Sequence, residues 1–468
     1  MIYKVFLKLL SIKKSISTGF KFSDIYPIDE IALKAKLGSE AIYPFSKFDE
    51  YGRAILGADI YIKPTKFHTL DRLILLPPAF TPLRLKKMEE ILREPLYTDV
   101  NTETIIGGFK SKVPVTVASM GSTDIANKLG IDIAIGAARS GIVMGIGENV
   151  ATVRGYDKRL SNNQPSLKER ILSYLENLEN DYGGIVLQQN VEDAYDELWN
   201  KVYSDKQLEQ YIDRGLIAFE IKLGQGAKPG LGGEIKVSRE QALKLKQKYY
   251  FPDDPEKVIK QNYERHSAPG TFTEEILSSM IKLMKNNYPR VKVWIKTGPY
   301  RDLDKIIEIA WKNGADAIVI DGKEGGTGMS PIIAMKDLGY PTIVCLKKIH
   351  DARVKGVTTS LLISGRLYDG GHVVKSLILG ATAVSMGRPF IIAAQYGANG
   401  VKNFIDAIKI EIQMLVSALG KYELQDLGTE DIGALDKELA EMFSIEYIYN
   451  ASKETYSHKE LNTFHEFH

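Results

Sequence analysis

From Lys112 onward, short runs of β-branched and other apolar residues alternate with amphipathic stretches of helix length. The runs are VPVTVAS (113–119), GIVMG (141–145), GGIVLQQ (183–189), LIAFEIK (216–222), VKVWIK (291–296), ADAIVIDG (315–322), SLLISG (360–365) and TAVSMG (382–387). Strand-like runs separated by helical ones predict an α/β chain folded as a (β/α)8 TIM barrel, with reactive groups at the C-terminal strand ends and in the loops that follow. Residues that a packed core does not need fall at those ends: Ser119 and Met120, Gln188, Lys222, Lys296, Asp321, Gly365 and Gly387.

The flanks read differently. Residues 1–110 show no repeating strand–helix pattern and include the turn-like LPPAF (76–80), so they are expected to pack on the barrel without supplying catalytic groups. The barrel is assigned to 111–400, and FIDAIKIEIQMLVSALG (404–420) predicts an amphipathic helix within a C-terminal extension over 401–468. The final TYSHKELNTFHEFH is expected to fray or to bind a partner. About 70 residues part the fourth and fifth runs, too many for a simple loop, and predict a lid or a substrate-facing excursion.

Composition narrows the classes. Hydrophobic residues at 44%, charged residues at 26% and a net charge of +2 describe an ordinary globular chain and exclude a surface dominated by nucleic-acid binding. No apolar run approaches the roughly 20 residues of a membrane helix. The opening MIYKVFLKLLSIKKS mixes lysines with apolar residues but has no unbroken apolar core or cleavage site, which favours a cytoplasmic, amphipathic start packed on the body or a partner. Cys345 is the single cysteine, so the chain can form no internal disulfide and is expected to hold no iron–sulfur cluster. No metal site is expected.

The densest chemistry lies in IKLGQGAKPGLGGE (221–234), where glycines surround Gln225 and Lys228 just after a strand. Such a loop lets backbone approach a ligand closely while the lysine supplies positive charge, as a small anion requires; a plain surface loop is the alternative.

Four segments in order carry a resemblance: VASMGS (117–122), IKLGQGAKPGLGG (221–233) with RHSAPG (265–270), DGKEGGTGMSP (321–331), and SGRLYDGGHVVKSLILGATAVSMGRP (364–389). Together they resemble the FMN-binding synthase domain of glutamate synthases, over roughly Lys112 to Tyr449, in its stand-alone archaeal-type form. The related subunit of methylamine–glutamate N-methyltransferase shares this domain. The resemblance implies FMN held by Ser119, Met120, Gly121, Gln188, Gly325, Gly326, Gly365, Arg366, Gly387 and Arg388, with the phosphate near the last four. It implies that Lys296 faces the flavin where negative charge accumulates on reduction, a catalytic role. Gln225, Lys228 and Arg265 are the implied 2-oxoglutarate-binding residues, and a guanidinium suits a carboxylate.

The departures matter too. Ile146 stands where the family has an acid after the second strand, leaving Glu148, two residues on, as the acidic catalytic candidate; Leu231 replaces another acid in the glycine loop. The histidine-rich stretch after RHSAPG is shortened to TFTEEIL, and no N-terminal glutaminase cysteine is present. These features lead to the expectation of an oxidoreductase that reduces 2-iminoglutarate, formed from 2-oxoglutarate and ammonia, with separate glutaminase and electron-donor subunits. Two rivals stand beside it. One is a 2-hydroxy-acid oxidase, which needs a histidine base at a strand end, whereas His350 and His372 lie in helix-start or loop-like surroundings. The other is a noncatalytic or differently specific flavin-binding subunit of an amidotransferase or methylamine–glutamate complex.

Overall fold

The computed structural model describes residues 26–42, 69–160, 164–190, 193–194, 197–232, 235–247, 249–266, 269–325 and 331–450. The lysine-bearing start and the polar, aromatic tail lie outside them, as do Gly326 and most of its glycine-rich loop, and two residues of RHSAPG.

Eight parallel strands close into a barrel: β1 (Val115–Met120), β2 (Met144–Ile146), β3 (Ile185–Gln189), β4 (Ile217–Lys222), β5 (Lys292–Thr297), β6 (Ala317–Asp321), β7 (Ser360–Ser364) and β8 (Ala383–Met386). Each lies within, or within one residue of, an apolar run seen in the sequence. The outward faces of the strands pack under the surrounding helices in one large core. The inward faces form a second core of Val143, Val186, Ala218, Trp294, Ala317, Val319, Leu362 and Ala383. This alternation is the period-two pattern of a strand buried on both faces.

The barrel floor is closed by a hairpin of Thr104–Ile106 and Phe109–Ser111, which contributes Ile106 and Phe109 to the inner core. The Trp294 indole stands 5.9 Å from the Phe109 ring, and its Nε1 donates to the Gly107 carbonyl at 3.1 Å. A buried indole thus has both its apolar body and its one donor satisfied.

The long excursion between β4 and β5 is itself folded. Ile235–Ser238 pairs antiparallel with Asn262–Arg265, and Ser238 caps the helix Arg239–Leu245 by accepting the Gln241 amide. Val237, Ala242 and Tyr263 form a small separate core between them. The helix predicted near residue 404 runs from Gly397 to Ala418 and packs against the helix Ile28–Leu37. Lys34 of that first helix is buried and paired with Glu30 at 2.9 Å and Glu411 at 2.5 Å, which ties the N-terminal segment to the long helix. No helix among the described residues is long and apolar enough to cross a membrane.

Candidate functional site at the barrel mouth

Travelling up the barrel from Trp294, the inward positions turn from apolar to charged. Glu220 follows Ala218 by two residues, Lys296 follows Trp294 by two and Asp321 follows Val319 by two, so one alternating face supplies both the packed core and the charges above it.

Glu220 lies at the centre. Its Oε2 accepts the Ser119 hydroxyl at 2.8 Å and the Gln188 amide at 2.6 Å, and Gln188 is its direct register neighbour on β3. Burial pushes the Glu220 carboxyl up; the Lys296 ammonium and the two hydrogen bonds offset this only in part, and Asp321 adds to it. Lys296 is 6% exposed and stands 3.4 Å from Asp321 Oδ2. Burial weakens its hold on its proton, but Asp321, Glu220 and Glu148 together raise its pKa above the ordinary lysine value. The lysine is therefore held charged by three acids.

Above this, Lys222 at the end of β4 donates to Glu148 Oε1 and, at 3.0 Å, to Gln225 Oε1. Burial alone would raise the Glu148 carboxyl, yet Lys222, with a smaller contribution from Lys296, lowers it below the usual glutamate range. Ile146, at the place expected for an acid, is fully packed inside β2, and Glu148 in the following loop reaches the mouth instead. That loop is held from behind by Asp193, whose two carboxylate oxygens accept the Asn149 amide at 3.1 and 2.9 Å. Burial pushes the Asp193 carboxyl up to about 7 against those bonds, with Glu148 adding to the rise.

The glycine-rich loop folds over the next strand end. A side chain at Gly226 would meet the Gly322 carbonyl at 2.3 Å, and the Gly226 amide donates to Asp321 Oδ2 at 3.3 Å. Only glycine permits this approach. Lys228 turns back and donates to the Gly232 carbonyl at 2.6 Å. Arg265 ends the excursion's second strand with its guanidinium 4.1 Å from the Tyr249 ring centroid, stacked on an aromatic face. An open hollow of about 400 Å³, lined by Pro229, Gly230, Pro299, Tyr300, Arg301, Gly339 and Tyr340, adjoins the loop.

On the other side of the mouth, Gly365 adopts φ 147, where an added side chain would meet the Thr342 hydroxyl at 2.0 Å. Arg366 follows it at the end of β7, and Gly387 and Arg388 follow β8, where Arg388 opens a short helix to Ala393. The Arg388 guanidinium donates to the Glu324 carbonyl at 2.7 Å, which joins this corner to the loop that begins at Gly322. Met120 and Gly121 lie opposite, at the end of β1 beside the Glu148 backbone.

The structure thus brings Ser119, Gln188 and Lys296 into one cluster, and Glu148 and Gln225 into a second around Lys222. It sets Gly365, Arg366, Gly387 and Arg388 together at another corner. Lys228 and Arg265 are engaged within their own segments. Sequence reasoning overlooked Glu220 and Asp193. Glu220 carried a readable signal, since Glu-x-Lys inside a buried apolar strand puts two charges on one face; Asp193 had none. His350 and His372 both lie on helices outside the barrel, and His372 is buried with its Nε2 2.9 Å from Asp71 Oδ1. Cys345 is buried on the helix Thr342–Val354, where burial raises its thiol pKa.

The model of a conserved region in glutamate synthase matches residues 79–399. An archaeal-type glutamate synthase [NADPH] of Dehalococcoides mccartyi is 32% identical over 193 residues, 39% of this chain and 36% of that protein. A glutamate synthase large subunit-like protein of Rhizobium meliloti is 25% identical over 283 residues, 49% of this chain and 61% of the relative. These matches span between about a third and three fifths of the relatives' own lengths. Among solved structures, the recombinant flavin-binding domain of baker's yeast flavocytochrome b2 superposes with a TM-score of 0.52 at 18% identity, covering 88% of this chain and 92% of that one. That likeness is one of fold. With the matched region running through the whole barrel and its mouth, the chain belongs to the glutamate synthase family.

Proposed function

We propose that the protein is a glutamate synthase-like, FMN-dependent oxidoreductase that reduces 2-iminoglutarate, formed from 2-oxoglutarate and ammonia, to L-glutamate. One observation carries the reading most: two lysines, Lys222 and Lys296, are held charged or paired by Glu148, Glu220 and Asp321 at the strand ends of a flavoenzyme-like barrel. The donor set suits a flavin. Asp321 Oδ1 is buried and has no hydrogen-bond partner among the described residues, and at Gly226 the backbone approaches the Gly322 carbonyl with no side chain between them. Ser119, Met120, Gly121, Gln188, Gly325, Gly365, Arg366, Gly387 and Arg388 would hold the cofactor, together with Gly326, which lies outside the described residues.

Bound FMN would supply the hydride. Lys296 supplies fixed positive charge that its three acids keep in place without reorganisation during the reaction. Glu148 and Lys222 form an ionised pair able to orient the nitrogen of the substrate and to exchange a proton with it. Gln225 shares Lys222 and would sit beside the same substrate, while Lys228 and Arg265 would meet its carboxylates after turning from their present partners. Ammonia and electrons would come from separate glutaminase and electron-donor subunits.

That turning favours a second reading, a differently specific or noncatalytic flavin-binding subunit of an amidotransferase or methylamine–glutamate complex. Anaerobic photoreduction followed by addition of 2-oxoglutarate and ammonium separates the two. The first reading expects flavin bands near about 375 and 450 nm to bleach and to return only with both substrates. Bleaching without return favours the second, and a reconstituted protein without flavin bands overturns both.

A further inference from the structure

Tyr26 lies far upstream of the family-matched region, yet it reaches the corner formed by the ends of β7 and β8. It immediately precedes the helix Ile28–Leu37, which packs against both the short helix opened by Arg388 and the long helix behind it. The side chain is 6% exposed. Its ring lies 4.7 Å from the Arg388 guanidinium and stands edge-on to Tyr368 at 5.9 Å and 71°. Its hydroxyl oxygen is buried and has no hydrogen-bond partner among the described residues.

Three features of this corner ask for the same thing. A buried phenol hydroxyl almost always finds an acceptor, and this one has none among the described residues. Arg366 acts on Arg388 as a like charge, and the partners of Arg388 among the described residues are the Tyr26 ring and the Glu324 carbonyl, neither of them a carboxylate. Like charges repel, and an anion seated between them relieves the repulsion. Arg366 is moreover set in the left-handed region at φ 65, an unfavourable backbone state for a residue with a side chain, directly after Gly365. Burial raises the Tyr26 hydroxyl pKa to about 12 against the pull of both arginines, so it is a donor rather than an acceptor at neutral pH.

We propose that Tyr26 is a ligand-binding residue that donates its hydroxyl to a phosphomonoester held by Arg366 and Arg388, so that the N-terminal segment closes the phosphate corner of the flavin site. This rests on the flavin reading above and adds to it a residue that lies outside the family-matched stretch. A phosphate offers several anionic acceptors, enough for two guanidiniums and one hydroxyl at once. The helix that follows Tyr26 and Pro27 is fastened independently by Lys34 to Glu411, so the hydroxyl is presented just ahead of a packed helix.

The test uses the full chain, the Tyr26→Phe variant and two probes, FMN and riboflavin, with binding followed by quenching of flavin fluorescence. Riboflavin has the same ring and no phosphate. The variant keeps the ring packing and removes one donor, so FMN affinity should fall about tenfold while riboflavin affinity stays unchanged. Equal FMN affinity in parent and variant overturns the assignment and leaves the flavin reading standing. Equal losses for both probes also overturn it, because the tyrosine would then shape the ring site or the fold. A parent that binds neither probe removes the flavin reading and this assignment with it.

Discussion

The floor and the mouth of the barrel are lined by the same strands, two residues apart on the same inward face. At the floor, Trp294 is enclosed by Ile106, Phe109, Ala218 and Ala317, and its one donor is spent on the Gly107 carbonyl. At the mouth, Lys296 is enclosed by Glu220, Asp321 and Glu148. The first environment is stabilised by area removed from water and does not respond to pH. The second is stabilised only while opposite charges stay matched, because each ion has lost its hydration. A catalytic mouth accepts that cost, since the groups that stabilise developing charge must be fixed before the reaction begins.

The comparison breaks most cleanly with two truncations. Trp294→Ala should cost about 3–5 kcal/mol by cavity formation, and by the same amount at pH 5 and pH 8 in denaturant titrations. Lys296→Met leaves Glu220 and Asp321 without their cation, and removal of one partner from a buried pair costs about 3–5 kcal/mol. Here the loss should be larger at pH 8 than at pH 5, since Glu220, whose carboxyl burial already pushes up, takes up a proton more readily as pH falls. The same variant should lower turnover about 10²–10³-fold if its charge serves the reaction. A Lys296→Met loss that ignored pH would erase the distinction between floor and mouth.

Asp193 sharpens it next. Its folded carboxyl titrates near 7 against an unfolded value near 4, so the stability tied to it is fully present below about pH 4 and is lost as pH rises through 7, about 4 kcal/mol in all. Asp193→Asn should flatten the fall in Tm between pH 5 and pH 8. Parallel Tm profiles for parent and variant would place that sensitivity elsewhere. The smallest effect is expected at Glu220, whose folded pKa is also raised. Glu220→Gln keeps an acceptor for Ser119 and Gln188 and should stabilise slightly at pH 8, a gain that shrinks as pH falls and the parent carboxyl takes up its proton. A loss at pH 8 would mean that the ionised carboxylate is worth more to Lys296 than its burial costs.

Strand positions were legible because a parallel barrel buries both faces of each strand, and runs such as ADAIVIDG leave little else to read. Lys296 was legible for the opposite reason, as a charge ending an apolar run. Glu220 was legible on the same ground and was missed: Glu-x-Lys within AFEIK puts two charges on one face of a strand that closure of the barrel turns inward. The floor hairpin escaped because its turn at Gly107 and Gly108 joins strands of only three residues each. Asp193 was unreadable, since its role depends on a backbone amide of a different loop. Tyr26 was unreadable too, because its neighbours Arg366 and Arg388 are separated from it by most of the chain.

The Lys34–Glu411 clamp also sets a timetable. During synthesis the ammonium has Glu30 beside it from the start but must wait for Glu411, which emerges about 380 residues later, roughly 20–80 s at ~5–20 residues per second. Through that interval the helix Ile28–Leu37 has its partner across the fold only in prospect, and Ile31, Ala32 and Ala35, buried in the finished protein, face the nascent chain and its chaperones. The long helix Gly397–Ala418, made late, is therefore the one that lets the helix Ile28–Leu37 dock.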